Sequence, residues 1–319
     1  MTEKEKYIEL CDHNQNIPLF LRYYYLDAVN ANWDVFLYEK NNKIIASYVY
    51  CIKSKYFLKY ISMPKMTQYS GLWIDYDEVN RNEKRIALEE EVMNYFINKI
   101  EMLNIVYCFQ SFSPQIKNYL PFYWKNYNET IKYTFVINEK EEEKIWNNMT
   151  STLKNEIKKA SKEAKLFYDC NSDLFYKYLC KTYERQNKKP SLSKEEFMNF
   201  DKIMREKKCV HIIGAKDINE NIHSICYFVY DEKKVYYLMS ANDYNFRKSN
   251  FNSLLVWEGI KFAIRKNLMF DFEGSMNKSI NSFMRKFGGE LNIYHCISKT
   301  ITKNPIIKLL LNYRLKIKG

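Results

Sequence analysis

One order of secondary-structure patterns can be read twice along this chain, and it constrains the fold more than any residue count. In the second half, helical and strand-like hydrophobic periods alternate as a Lys-rich helix (151–165), a short strand (166–170) and two helices (173–187 and 193–207). Three strands follow (209–215, 222–230, 233–240), then a helix (250–266), a strand (268–272), a short helix (278–287) and a last strand (291–298). Leu153, Ile157 and Ala160 share one face of the first helix, and Ser193 with Glu196 three residues on forms a capping box. Polar turns at 217–221 and 231–232 join the three strands as an antiparallel meander. The first half reads as a helix (19–29), strands 33–38, 44–52 and 56–62, a long helix (84–103), a strand (105–109), a short helix (115–120) and a strand (131–137). The shared part is three strands, a long helix, a strand, a short helix and a strand.

At 319 residues the chain is long enough for two such units, each with its own core. The charged stretch Glu139-Lys-Glu-Glu-Glu-Lys144 suggests a division into domains 1–140 and 141–319. The expected fold is α/β (α+β), each domain a mixed, mostly antiparallel sheet flanked by helices. Hydrophobic residues at 46% and only 7 Gly and 6 Pro exclude a disordered or collagen-like chain.

Charge divides unevenly. Residues 1–140 carry 17 basic and 17 acidic side chains, which leaves 33 and 21 for residues 141–319, so the whole net charge of +12 lies in the second half. A basic half suits a polyanionic partner such as a CoA pyrophosphate, a nucleotide, tRNA or an acidic membrane surface, although a solvated Lys-rich helix face gives the same count. The 8 cysteines include no CxxC pair, which fits buried thiols in a reducing compartment, and the 4 histidines show no metal-ligand spacing, so no metal is expected. The N-terminus has no apolar signal core and no run nears the roughly 18 apolar residues of a membrane span, so a cytoplasmic location is expected.

Three segments carry a resemblance. The stretch from Trp146 to Ala164, with Lys154, Lys158 and Lys159 around its apolar stripe, is one, and Thr182-Tyr-Glu-Arg-Gln-Asn187 is another. The third is Phe270-Asp-Phe-Glu-Gly274 followed by Phe283-Met-Arg-Lys-Phe-Gly-Gly289. Together with the element order they resemble the GNAT acyltransferase fold in the doubled form of the Fem aminoacyltransferases and their surface-polymer relatives. Ile17-Pro-Leu-Phe20, Trp33 and Pro64-Lys-Met-Thr-Gln-Tyr-Ser-Gly71 extend the likeness into the first half. Two positions depart from it: the turn at 242–249 has no glycine, and Met284 stands where relatives carry Lys, with Arg285 and Lys286 next.

The resemblance implies an N-acyltransferase that moves an acyl or aminoacyl group from an activated donor to an amine of a cell-envelope or surface-sugar precursor. The donor would be acyl-CoA or another acyl thioester, or else a charged tRNA. It would lie where the fourth and fifth strands part, against backbone N–H groups near Leu238 and Ala241, with Arg247, Lys248 and Ser249 facing phosphates. Ser249 could equally be only a helix cap. Asp271 and Glu273 fall on one face of a strand, where a carboxylate could take the amine proton, with Tyr237 as a proton donor. The alternative for Asp271 is a structural pair with Lys or Arg. Lys286 or Arg285 would steady an oxyanion or clamp a phosphate. Acceptor contacts fall to Lys65, Thr67, Gln68, Tyr69 and Arg185.

A rival reading is a non-catalytic nucleotide- or tRNA-binding module that kept the fold. No DNA partner is expected. The basic, apolar segment 306–318 is read as a helix docked on its own domain, and membrane association is not expected.

Overall fold

The computed structural model describes residues 1–184, 187–302, 304, 305 and 307–309. Packing divides them into two compact units, Met1–Lys132 with the chain from Ile293 onward, and Tyr133–Asn292.

The first unit opens with α1 (Glu3–His13), a single 3-10 turn (Leu19–Leu21) and α2 (Tyr23–Ala28). Thr2 caps α1 in a capping box with Glu5. The helix expected over 19–29 is therefore broken at Arg22, whose extended backbone leaves its guanidinium to donate to the carbonyls of Cys11 and Ile17. The strands β1 (Trp33–Lys40), β2 (Lys43–Lys55), β3 (Leu58–Ile61) and β4 (Gly71–Ile74) come next, then α3 (Asn82–Met102), β5 (Tyr107–Ser111), α4 (Leu120–Trp124) and β6 (Asn128–Ile137). The helix expected over 115–120 begins only at Leu120, because Pro121 sits in its first turn, where a missing N–H costs nothing. β1 and β2 pair antiparallel, β3 lies parallel to β5, and β4 pairs with the far end of β2. The core between sheet and α3 holds Tyr48, Phe96, Ile97, Ile100 and Phe112.

The second unit begins with the end of β6. Part of the charged stretch expected to be a boundary is instead helical, α5 (Glu142–Asn148), because Ile145 finds a place in the core. The chain continues through α6 (Ser151–Glu163), β7 (Lys165–Tyr168), α7 (Ser172–Glu184), α8 (Lys194–Glu206), β8 (Val210–Lys216), β9 (Ile222–Tyr230) and β10 (Lys234–Asn242). It ends in α9 (Phe251–Arg265), β11 (Met269–Asp271), α10 (Lys278–Arg285) and β12 (Glu290–Thr300), whose last residues return to the first unit and pair antiparallel with β5.

In the second unit the strand order is β6-β11-β10-β9-β8-β7. β8, β9 and β10 form the expected antiparallel meander, and β11 joins β10 in parallel. The Ser193–Glu196 capping box is present. Leu153, Ile157 and Ala160 of α6 are buried as their spacing predicts. α9 is apolar on most sides and packs close against β9: a Cβ on Gly259 would meet the Phe228 ring at 2.4 Å. Both units are therefore α/β with mostly antiparallel sheets.

At the end of β11 the chain turns through two consecutive left-handed residues, Glu273 (φ 58) and Gly274 (φ 70). A Cβ on Gly274 would lie 1.9 Å from the carbonyl oxygen of Tyr133, a backbone atom that cannot swing aside. Gly274→Ala is expected to destabilise the protein by about 3 kcal/mol, from strain plus displaced backbone, read as a lowered urea midpoint.

Candidate active site

β10 and β11 run side by side only from Lys234/Met269 to Tyr236/Asp271. Beyond that point β11 stops and turns, while β10 continues to Asn242. The register of β10 against β9 also slips between Tyr237 and Met239, so Leu238 has no residue opposite it. Such a bulge leaves a peptide unit outside the ladder. The parting strands enclose a cavity of about 410 Å³, with Tyr237, Leu238, Asn252, Glu273, Phe283 and Met284 among its walls.

The two carboxylates of this turn have opposite surroundings. Asp271 is fully buried and saturated: it accepts from Thr134 Oγ1 at 2.7 Å, Lys234 Nζ at 3.0 Å and the Glu273 N–H at 2.9 Å. Glu273 reaches the cavity, and its Oε1 is buried with no hydrogen-bond partner. Burial first, and then the neighbouring Asp271 charge, push the Glu273 pKa well above the usual carboxylate range. A carboxyl in that condition is a strong base once it has lost its proton. Burial likewise raises the Tyr237 phenol, and its hydroxyl donates to Asn252 Oδ1 at 3.3 Å.

A second cavity, of about 220 Å³, lies at the start of α9, where Lys181, His223, Asp243, Phe246, Arg247 and Ser249 contribute to its lining. Asn252 borders both cavities. The left-handed residue that starts this helix is Asn250 (φ 61), so asparagine takes the conformation a glycine would adopt freely. Ser249 is thus not the cap residue, although its Oγ accepts from the Phe251 N–H at 3.4 Å. Arg247 stacks over Tyr244 with its guanidinium carbon 4.3 Å from the ring centroid. Burial acts to raise the Asp243 carboxyl, yet the Lys181 ammonium at 2.6 Å and the Asn245 N–H hold it below its ordinary value. His223 is sandwiched between Phe246 and Phe251, with centroids 3.9 and 4.3 Å away.

Of the donor-side residues read from sequence, Leu238, Arg247 and Ser249 line one or other cavity together with Glu273 and Tyr237. Ala241 is buried in the sheet, and Lys248 and Arg285 are outside both linings. Lys286 faces Glu156 at 3.6 Å, and Phe283 and Met284 hold the place on α10 beside the cavity. In the first unit Lys65 is exposed, Thr67 donates to the Lys65 carbonyl at 3.0 Å, and Tyr69 is buried edge-on to Phe20. Gln68 is buried with both amide atoms unpartnered. Arg185 lies outside the described residues. Sequence reasoning missed Asn252; its signal is weak, because Asn252 is one of two adjacent polar residues in the first turn of a mainly apolar helix. Among the described residues no group of three His, Cys, Asp or Glu side chains gathers as metal ligands.

No family model matches this sequence, and no curated protein matches it either. Solved structures do. FemX superimposes with a TM-score of 0.67 at 12% identity, covering 97% of this chain and 98% of FemX. The L-PGS structure from Bacillus licheniformis gives 0.55 at 12%, over 98% and 96%. A tandem GNAT protein from the clavulanic acid biosynthesis pathway gives 0.52 at 8%, over 94% of each. The chain therefore has the duplicated GNAT-like fold of Fem type. No helix among the described residues is long and apolar enough to cross a membrane.

Asp271→Ala would strand the Lys234 ammonium and the Thr134 hydroxyl in a buried place. It is expected to cost about 3 kcal/mol of stability, visible in chemical denaturation whether or not any substrate is present.

Proposed function

We propose that this chain is an N-acyltransferase that carries an acyl or aminoacyl group from an activated donor to the amine of a cell-envelope or surface-sugar precursor. The observation that carries this reading is the unpartnered Glu273 oxygen at the wall of the cavity between β10 and β11. The second unit would be the donor side. Leu238, Met239, Phe283 and Met284 give an apolar wall suited to an acyl chain or thioester arm, and the smaller cavity beside Arg247 and the α9 N-terminus suits its polar end. The first unit would present the acceptor, with Gln68 as the candidate contact whose amide lacks partners.

The chemistry follows from the charges. An incoming ammonium must lose a proton before its nitrogen attacks the acyl carbonyl, and Glu273, in its ionised form, is the group placed to accept it. The peptide group freed at Leu238 can polarise the carbonyl oxygen. Tyr237, a phenol at the cavity wall that is protonated at neutral pH, is the group placed to return a proton to the departing thiolate or ribose oxygen. The C–N bond forms as the C–S or C–O bond breaks. The likeness to FemX and to L-PGS supports the fold-level part of this reading.

Glu273→Gln is expected to lower turnover about a hundredfold or more with little change in donor affinity. The sign for stability is opposite to that of an ordinary salt-bridged carboxylate. Folded Glu273 binds its proton more tightly than the unfolded chain does, so the stability gained by keeping it neutral is present at low pH. It is lost as pH rises from the ordinary carboxylate value through the raised one. The Gln variant should therefore melt no lower than the wild type at neutral pH and lose this part of the pH dependence. Ligand binding with no turnover to lose would instead support a non-catalytic module.

Calorimetry with salt distinguishes the donors. Charged tRNA should bind with an affinity that falls steeply as salt rises, because many phosphates are neutralised, whereas an acyl-CoA should give a shallow slope. If neither binds across a panel of donors, the acyl-transfer reading is wrong.

A further inference from the structure

The tip of the β2–β3 hairpin carries the two most exposed aromatic side chains among the described residues of the first unit, ahead of Tyr123 and Trp124 on α4. Tyr56 and Phe57 occupy the turn, 88% and 84% exposed. Tyr56 is also left-handed (φ 55), a conformation that favours Gly or Asn and is unusual for a bulky ring. Neither folding nor turn chemistry asks for two aromatic rings in water at this place.

Around the rings the charge is of one sign. Lys53, Lys55 and Lys59 are exposed on the two arms. The pairing Lys53↔Tyr60, Ser54↔Lys59 and Lys55↔Leu58 puts Lys53 and Lys55 on one face of the hairpin and Lys59 on the other. From Lys40 to Ile74 the sequence holds 6 lysines and no acidic residue, inside a half that is neutral as a whole. The connection from α3 into β5 runs beside this arm, since the Val106 N–H donates to the Lys59 carbonyl at 2.8 Å, and it brings Met102, itself 83% exposed, to the same end of the sheet. The acidic neighbour there, Glu101, is paired with Lys299 at 2.6 Å.

We infer that this hairpin tip is a peripheral docking element for an anionic lipid bilayer. Aromatic rings with an apolar body settle at the level of lipid headgroups, and flanking lysines meet the negative surface of acidic lipids. Single-stranded RNA would also attract lysine and aromatic side chains, but it is held in a groove with a stacking platform, and this tip is a protruding turn. The surface is built from two turn residues and the alternation of a hairpin, so it needs no amphipathic helix.

The inference stands apart from the acyl-transfer reading, and its test needs no substrate. The full chain is sedimented with vesicles of phosphatidylcholine alone and of phosphatidylcholine with phosphatidylglycerol. Binding is expected to the anionic vesicles, weakening as salt rises. The double variants Tyr56→Ser/Phe57→Ser and Lys55→Glu/Lys59→Glu should each reduce partitioning about tenfold, with melting temperatures unchanged because the tip is exposed. A Phe57→Trp variant provides a second reading, a blue shift of its emission on anionic vesicles relative to the wild type. Absence of vesicle binding, binding indifferent to both double variants, or an emission spectrum of the Phe57→Trp variant that anionic vesicles leave unchanged would overturn the inference. So would tRNA binding that the tip variants abolish in a protein that ignores vesicles.

Discussion

The buried carboxylate of Asp271 is the constraint on which the candidate site depends. It stands at the last residue of β11, where parallel pairing with β10 ends, and three donors from three segments converge on it: Thr134 of β6, Lys234 of β10 and the N–H of Glu273. An ionised group in the sheet interior is tolerable only when so fully matched. That match ties β6, β10 and β11 together below the cavity and fixes the start of the turn above it. The turn must then pass through two left-handed residues, and only glycine fits the second because the Tyr133 carbonyl is so close.

From this arrangement the division of labour between the acidic residues follows. Asp271 takes three donors, and Glu273, two residues on, receives none for its inner oxygen while lying beside the Asp271 charge. Desolvation and like-charge repulsion then act in the same direction on Glu273. A satisfied carboxylate and a frustrated one, set side by side by a turn of two residues, are what a proton-accepting site requires. The same turn leaves β10 to continue paired with β9 only, and its bulge at Leu238 lies on the wall of the opening.

Much of this is legible in the sequence. Period-two and period-3.6 patterns locate the meander and α9, since β9 and α9 are buried widely enough for hydrophobicity alone to mark them. The Ser193–Glu196 box stands out, whereas the same pattern at Thr2–Glu5 does not, because the helix behind it is polar and buries only Tyr7 and Cys11. The charged stretch at 139–144 resembles a linker because one buried Ile145 is too little periodicity to announce α5. Arg285, Lys286 and Lys248 suggest themselves through the resemblance; in the structure Lys286 faces Glu156, and Lys248 and Arg285 are exposed outside both cavity linings.

The sequence by itself determined the doubled element order, the α/β class, and the neutral and basic halves, because hydrophobic period and charge are local properties written residue by residue. Its alternation put Asp271 and Glu273 on one strand face, whereas β11 ends at Asp271 and Glu273 lies in the left-handed turn that follows. Only the tertiary structure decided which carboxylate is matched and which is left bare, that Asn250 supplies the left-handed residue where the chain lacks a glycine, that Asn252 borders both cavities, and that β12 returns to the first unit. Each of these depends on what a side chain or strand meets after the chain has closed on itself, and residues 137 positions apart, such as Thr134 and Asp271, carry no sign of one another in sequence.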